Sequence, residues 1–143
     1  MNRAPRLLRR LIRSERGLGA VEFALVAPVL LLLIFGMLQL GMLFIASNGL
    51  THAVAEGARY ATIFPRPTDE ELIAHIEGAR FGMKESRVTE PKIEWQQVEG
   101  SGAHFVDIEM RYAMPLNFVF FETPPITLRE TRRAYVQPPR PES

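Results

Sequence analysis

Glu22 is the residue whose position most needs a chemical explanation. It stands five places after Gly17 inside "RGLGAVEFALVAPVLLLLIFGMLQLGMLFIA", residues 16–46, a run otherwise almost free of charge. A charge at mid-bilayer costs on the order of 2.5–3.5 kcal/mol, and less near an end of the span, so it normally marks a partner or a function. Other side chains with chemical potential are fewer and less well placed. His52 and Glu56 lie one helical turn apart, a spacing that can set an imidazole beside a carboxylate. A metal site needs a fuller ligand set, and His75 and His104 fall on separate predicted elements with no supporting motif. No metal site and no cofactor are expected. Ser47 and Ser101 lack a base of predictable geometry, and the sequence holds no glycine-rich phosphate loop, nucleophile elbow or paired-carboxylate motif. With no cysteine, thiolate ligands and disulfides are excluded. The expectation is a protein that is not an enzyme.

The elements that would position Glu22 begin with a membrane-length helix. From Phe23 to Ala46 the only strongly polar side chain is Gln39. Roughly 24 residues at about 1.5 Å each give about 36 Å, enough to cross a hydrocarbon core of about 30 Å. A cleaved secretory signal is the rival, but its apolar region is typically about 7–15 residues, and this run is longer. Pro28 suggests a kink rather than an end, because a freed carbonyl can be re-satisfied locally in a membrane helix. Gly36 and Gly41 offer small surfaces for another helix, although their spacing is not GxxxG.

Beyond the membrane, "SNGLTHAVAEGARYATIF" (Ser47 to Phe64) keeps a helical rhythm. Leu50, Val54, Ala58 and Ala61 fall on one side, with His52, Glu56 and Arg59 on another. The spacing predicts a stalk, softly interrupted at Gly49 and Gly57 and broken by "PRP" at residues 65–67. Thr68 followed by Glu71 is a capping-box signature, and it opens a second helix with Leu72, Ile73, Ile76 and Ala79 as its apolar stripe, ending near Gly82.

The period then changes to two. Val106, Ile108, Met110 and Tyr112 alternate with Asp107, Glu109 and Arg111, giving a strand with one apolar and one charged face. "KIEWQQV" alternates too and joins it through "EGSG", while "ITLRETRRAYV" supplies a third strand, reached through "PLNFVFFETPP", whose bulky residues must cover something or be covered. The expected fold class is α+β: a long N-terminal transmembrane and stalk helix, a short helix, and a small antiparallel sheet of about three strands. The divisions are a basic leader at 1–17, the helix and stalk at 18–64, an extracytoplasmic domain at 65–136 and a disordered Pro-rich tail at 137–143.

The charge distribution fits this division. The chain holds 17 Lys+Arg and 16 Asp+Glu, yet six arginines (Arg3, Arg6, Arg9, Arg10, Arg13, Arg16) precede Gly17, opposed only by Glu15. Setting those seven residues aside leaves 11 basic and 15 acidic side chains. That is a basic cytoplasmic tip before a translocated body. Directly before a membrane helix, such a tip is explained by topology and anionic lipid, and nucleic acid is not expected as a partner.

Cutting the chain between Gly17 and Leu18 would discard that tip and make Glu22 the fifth residue. The acid would then lie within reach of an α-amino group, its own or that of an adjacent subunit. The partner-supplied amine makes Glu22 a docking device, costly alone and satisfied in an assembly. The alternative is an acid near enough to the interface to stay solvated and unused. "EGARYA" is a candidate partner contact through Glu56, Gly57, Arg59 and Tyr60, weighed against ordinary helix packing with a surface Glu56–Arg59 pair of about 0.2–0.5 kcal/mol.

Taken together, the Arg-rich tip, Gly17, Glu22-Phe23, "ALVAPVLLLL" and "EGARYA" resemble the TadE-like family of pilus assembly proteins, minor pseudopilins of tight-adherence (Flp-type) pili. The similarity is strong over residues 14–64 and extends further only in general layout. The resemblance implies a pilin-like fold, and removal of the leader after Gly17, ahead of Leu18, by a membrane prepilin peptidase. It implies a processing and assembly role for the acid at Glu22, beside Phe23, where the much shorter major pilins usually carry tyrosine. It also implies partners among other pilins and pseudopilins, inner-membrane platform proteins, an assembly ATPase and a secretin. The implied location is the bacterial inner membrane, with a cytoplasmic N-terminus, and the implied outcome is surface adherence and biofilm formation. The competing expectation is an uncleaved single-pass membrane protein whose outer domain binds or regulates an envelope partner.

Overall fold

The structure, a computed structural model, describes residues 15–100, 102–118 and 121–136. Most of the expected basic leader and all of the tail at 137–143 lie outside the described residues. Helix α1 (Glu15–Tyr60) is 46 residues long and runs unbroken through Pro28, Gly49 and Gly57. At about 1.5 Å per residue it extends about 69 Å. It is followed by α2 (Asp69–Gly78), a single 3-10 turn (Glu85–Arg87), β1 (Lys92–Gln97), β2 (His104–Met114), β3 (Asn117–Phe118), β4 (Phe121–Glu122) and β5 (Ile126–Val136). The fold is α+β, as the sequence pattern implies.

The helix ends differ from expectation in two places. α1 closes at Tyr60 rather than running on to Phe64. Thr62 and Ile63 turn back on the carbonyls of Arg59 and Tyr60, and the Thr62 hydroxyl donates to the Arg59 carbonyl at 2.7 Å. These bonds satisfy the last carbonyls before the prolines forbid another turn. α2 opens as expected: the Thr68 hydroxyl accepts from the Glu71 amide, and the Glu71 carboxylate accepts from the Thr68 amide. It ends at Gly78 rather than near Gly82. The Ala79 amide is shared between the carbonyls of His75 and Ile76, which tightens the last turn. Gly82 instead takes a left-handed φ of +67° and returns the chain to α1.

Three strands form an antiparallel sheet in the order β1-β2-β5. Val106 faces Trp95 and Ala134, and Ile108 faces Ile93 and Arg132. One face is apolar and packs on α1 and α2. Val106, Ile108, Met110 and Tyr112 are buried there, with Leu72 and Ile76 from α2. Each fully buried Leu or Ile contributes about 1.5–3 kcal/mol relative to an exposed one. The helix supplies the rest of this core: Ala46, Leu50, Ala53 and Val54 recur at helical spacing and are buried, with Ala61 just past its end. The upper third of α1 is therefore an integral wall of the domain, and the stalk expected there has no free length of its own.

The opposite face of the sheet carries the charges. Arg133 binds Asp107 through two hydrogen bonds of 2.8 and 2.7 Å, and Glu109 accepts from Arg111 and Arg129, each at 2.6 Å. Hydrogen bonds from these arginines hold the Asp107 and Glu109 carboxyls below their ordinary values. A carboxyl lowered on folding stabilises the fold above its unfolded value, and that contribution vanishes as pH falls through the lowered folded value. Stability is thus expected to be full at neutral pH and to decline below about pH 4. Thermal unfolding of the Asp107→Asn chain between pH 7 and pH 3 is expected to show a shallower acid decline than wild type. Because the pair is solvent-facing, the difference should be modest.

Candidate functional site

From Gly19 to Leu38, α1 has no buried residue. Val21, Phe23, Leu25, Val26, Val29, Leu30 and Leu33 project outward at helical positions all round the axis. Glu22 is exposed among them and has no hydrogen bond or ion pair among the described residues. The backbone of Gly17 and Leu18 lies in the same helix, about one turn before Glu22. The described helix is long and apolar enough to cross a membrane. A carboxylate on an otherwise apolar, uncovered helix can do one useful thing: accept a cationic or hydrogen-bonding partner brought to it from outside.

Higher on α1, "EGARYA" has been turned inward in part. A Cβ at Gly57 would collide with the Ile76 side chain, so this glycine exists to let α2 close on α1. Tyr60 stacks on His75, ring centroids 4.3 Å apart and 12° from parallel. Glu56 pairs with Arg59 at 2.8 Å, a bond that holds the Glu56 carboxyl below its ordinary value. Of these four residues, Arg59 is exposed, Glu56 and Tyr60 are half-buried, and Gly57 is buried within the domain.

The structure also resolves the histidines. His75, not His52, is the imidazole nearest the Glu56 carboxylate, with Nε2 at 3.9 Å. His52 instead meets Phe81, 5.7 Å between rings. No group of three or more His, Asp or Glu side chains is gathered among the described residues in a way that would hold a metal ion. Sequence reasoning missed the His75–Tyr60–Glu56 grouping because it depends on how α2 docks, which no local pattern encodes.

Residues 17–59 match the family model of TadE-like proteins. The match begins at Gly17, includes Glu22 and Phe23, and ends at Arg59. The matched segment thus comprises the uncovered apolar helix and most of the helical wall of the core, while α2 and the sheet lie beyond it. This is the stretch on which the sequence motifs fall. Neither a curated protein nor a solved structure matches the chain.

One further feature at the lower edge of the domain escaped the sequence reading. β3 and β4 form a short hairpin, pairing Phe118 with Phe121, and it lies against α1 well below the rest of the core. Gln39 is buried and donates from Nε2 to the Asn117 carbonyl at 2.7 Å, while its Oε1 has no partner among the described residues. A bulky apolar run with a lone glutamine opposite was visible as sequence. Their meeting was not, because strands of two residues carry no readable period.

Proposed function

We propose that this chain is a minor pseudopilin-like subunit in the assembly of a tight-adherence (Flp) pilus. It is anchored by α1 in the bacterial inner membrane with its N-terminus in the cytoplasm, and it supports surface adherence and biofilm formation without catalysis of its own. The TadE-like match supports a part in Tad pilus assembly and partners among pilus proteins. The observation that carries the finer reading is Glu22, an acid without a described partner on the uncovered apolar half of that matched segment. A prepilin peptidase cutting after Gly17 would bring an α-amino group within about one helical turn of this carboxylate. Other pilins or pseudopilins could then dock on it, with inner-membrane platform proteins as further partners.

The test is the mature N-terminus and intact mass of the chain recovered from the membranes of a host that expresses its own prepilin peptidase. A protein beginning at Leu18 is expected. A protein that keeps Met1 or Asn2 would overturn the processed-subunit reading and leave an uncleaved single-pass membrane protein with an outer domain that binds an envelope partner.

A further inference from the structure

The domain does not stand clear of the apolar helix but reaches down along it. The contacts form a descending series. Gly49 lies against the Phe81 carbonyl, and Gly82 lies against Ile45. Gln39 holds Asn117, and Phe118 sits over Gly36 at 3.9 Å from where a Cβ would be. The hairpin is the lowest point of this series.

Two lengths set its height relative to a bilayer. Between Leu18, the first residue of the processed chain, and Phe35, α1 offers 18 residues below the hairpin. At about 1.5 Å each these extend about 27 Å, slightly less than a hydrocarbon core of about 30 Å. Above Gly36 the exposed apolar surface of α1 continues through Met37, Leu38, Leu40 and Phe44 to Ile45, which also lies against Gly82. Ile45 is nine residues above Gly36, about 13 Å along the axis. A bilayer of about that thickness covering the apolar helix from Leu18 upward has its upper boundary at about the height of the hairpin.

The composition of that lower edge suits the position. Phe118 and Phe121 stack with ring centroids 4.8 Å apart, and Phe121 is left 52% exposed. In a layer just above, Lys84 and Arg87 line an open cavity of about 530 Å³ with Gln39, Met42, Ile45 and Tyr112. Neither cation has an ion pair among the described residues, while Glu85 between them lies 3.9 Å from Arg80. Aromatic side chains beneath unpaired cations is the order in which a phospholipid leaflet presents acyl chains beneath phosphates.

We infer that the paired strands β3 and β4 form a membrane foot, with Phe118 and Phe121 seated in the acyl–headgroup boundary of the leaflet on the domain's side. The occupant of this edge is the phospholipid surface itself. This rests on the membrane-spanning reading of α1 given above, and it adds that the domain is lipid-bound at a second, separate place in the sequence. It also explains why Phe121 can remain uncovered by protein.

The absence of cysteine makes the test clean, since each introduced cysteine is unique. The full chain carrying Phe121→Cys, Asn117→Cys, Leu30→Cys or Phe64→Cys, each nitroxide-labelled, would be reconstituted in phosphatidylcholine vesicles containing phosphatidylglycerol. Collision rates with oxygen, which partitions into lipid, and with a neutral nickel chelate, which stays in water, give the depth of each label. The label at Leu30 should favour oxygen most, and that at Phe64, 72% exposed beyond the end of α1, should favour nickel. Labels at Phe121 and Asn117 should give an oxygen-to-nickel ratio several-fold above that at Phe64 and below that at Leu30. Ratios at both hairpin positions equal to that at Phe64, with Leu30 still deep, would overturn the foot and leave the spanning helix intact. A water-exposed label at Leu30 would instead sink the spanning reading, and the foot with it. The Asn117 label guards against loss of the phenyl stack, because that residue engages Gln39 through its backbone carbonyl.

Discussion

Gly49→Ala is expected to destabilise the domain, although alanine is ordinarily the better helix former by about 0.5–1 kcal/mol. The reason is the atom that a Cβ at position 49 would strike. It is the carbonyl oxygen of Phe81, part of the backbone, which cannot swing aside as a side-chain end can. The segment that bears it is held on both sides, by the end of α2 and by Gly82 against Ile45. Displacing packed backbone costs about 1–3 kcal/mol, which outweighs the propensity gain. Gly41→Ala provides the control, because a Cβ there meets nothing within 4 Å. Urea unfolding of the full chain in detergent, followed by Trp95 fluorescence, should show a lower midpoint for Gly49→Ala and no loss for Gly41→Ala. Equal midpoints for the two variants would mean that the 79–82 loop does not press on α1 in solution.

The second large effect is expected at Glu22. Glu22→Ala should leave the protein at normal level in the membrane, because the side chain has no described partner within the chain and its removal makes the helix more apolar. Incorporation into the pilus machinery should fall sharply. Removing one member of a desolvated charge pair costs about 3–5 kcal/mol, and at about 1.4 kcal/mol per tenfold this is a loss of two to four orders of magnitude in association. Co-purification with pilus subunits, and counts of surface pili, would read it. Glu22→Gln separates charge from hydrogen bonding: if a cationic amine is the partner, glutamine should fail almost as completely as alanine. Wild-type assembly by both variants would mean that the acid is merely solvated at the membrane edge.

What could be read from the chain alone depended on local physics. The alternation in "HFVDIEMRY" placed Val106, Ile108, Met110 and Tyr112 on the core face because a strand has only two faces, and the structure buries those four residues. The Thr68–Glu71 cap was legible because both partners lie within one turn of each other. Features that depend on docking were not. Gly49 and Gly57 looked like soft points in a stalk, whereas each is a place where another element touches the helix axis closely. The end of α2 was misplaced by four residues because Gly82, the expected stop, is used to turn the chain rather than to cap the helix. The candidate site divides in the same way. Glu22 was conspicuous from composition alone, while the meetings of Gln39 with Asn117, and of His75 with Tyr60, join residues far apart in sequence.

The descending contacts between Gly49 and Gly36 also have a mechanical meaning. A head joined to its anchor by a compliant tether could be tugged for some distance before the anchor responded. Here the upper part of α1 is built into the head, so the linkage has no slack. A force applied to the sheet acts at once on the apolar rod, and a rise of about 10 Å would draw nearly seven residues of it upward. Glu22 would move with it, so the height of that carboxylate reports how far the domain has been displaced.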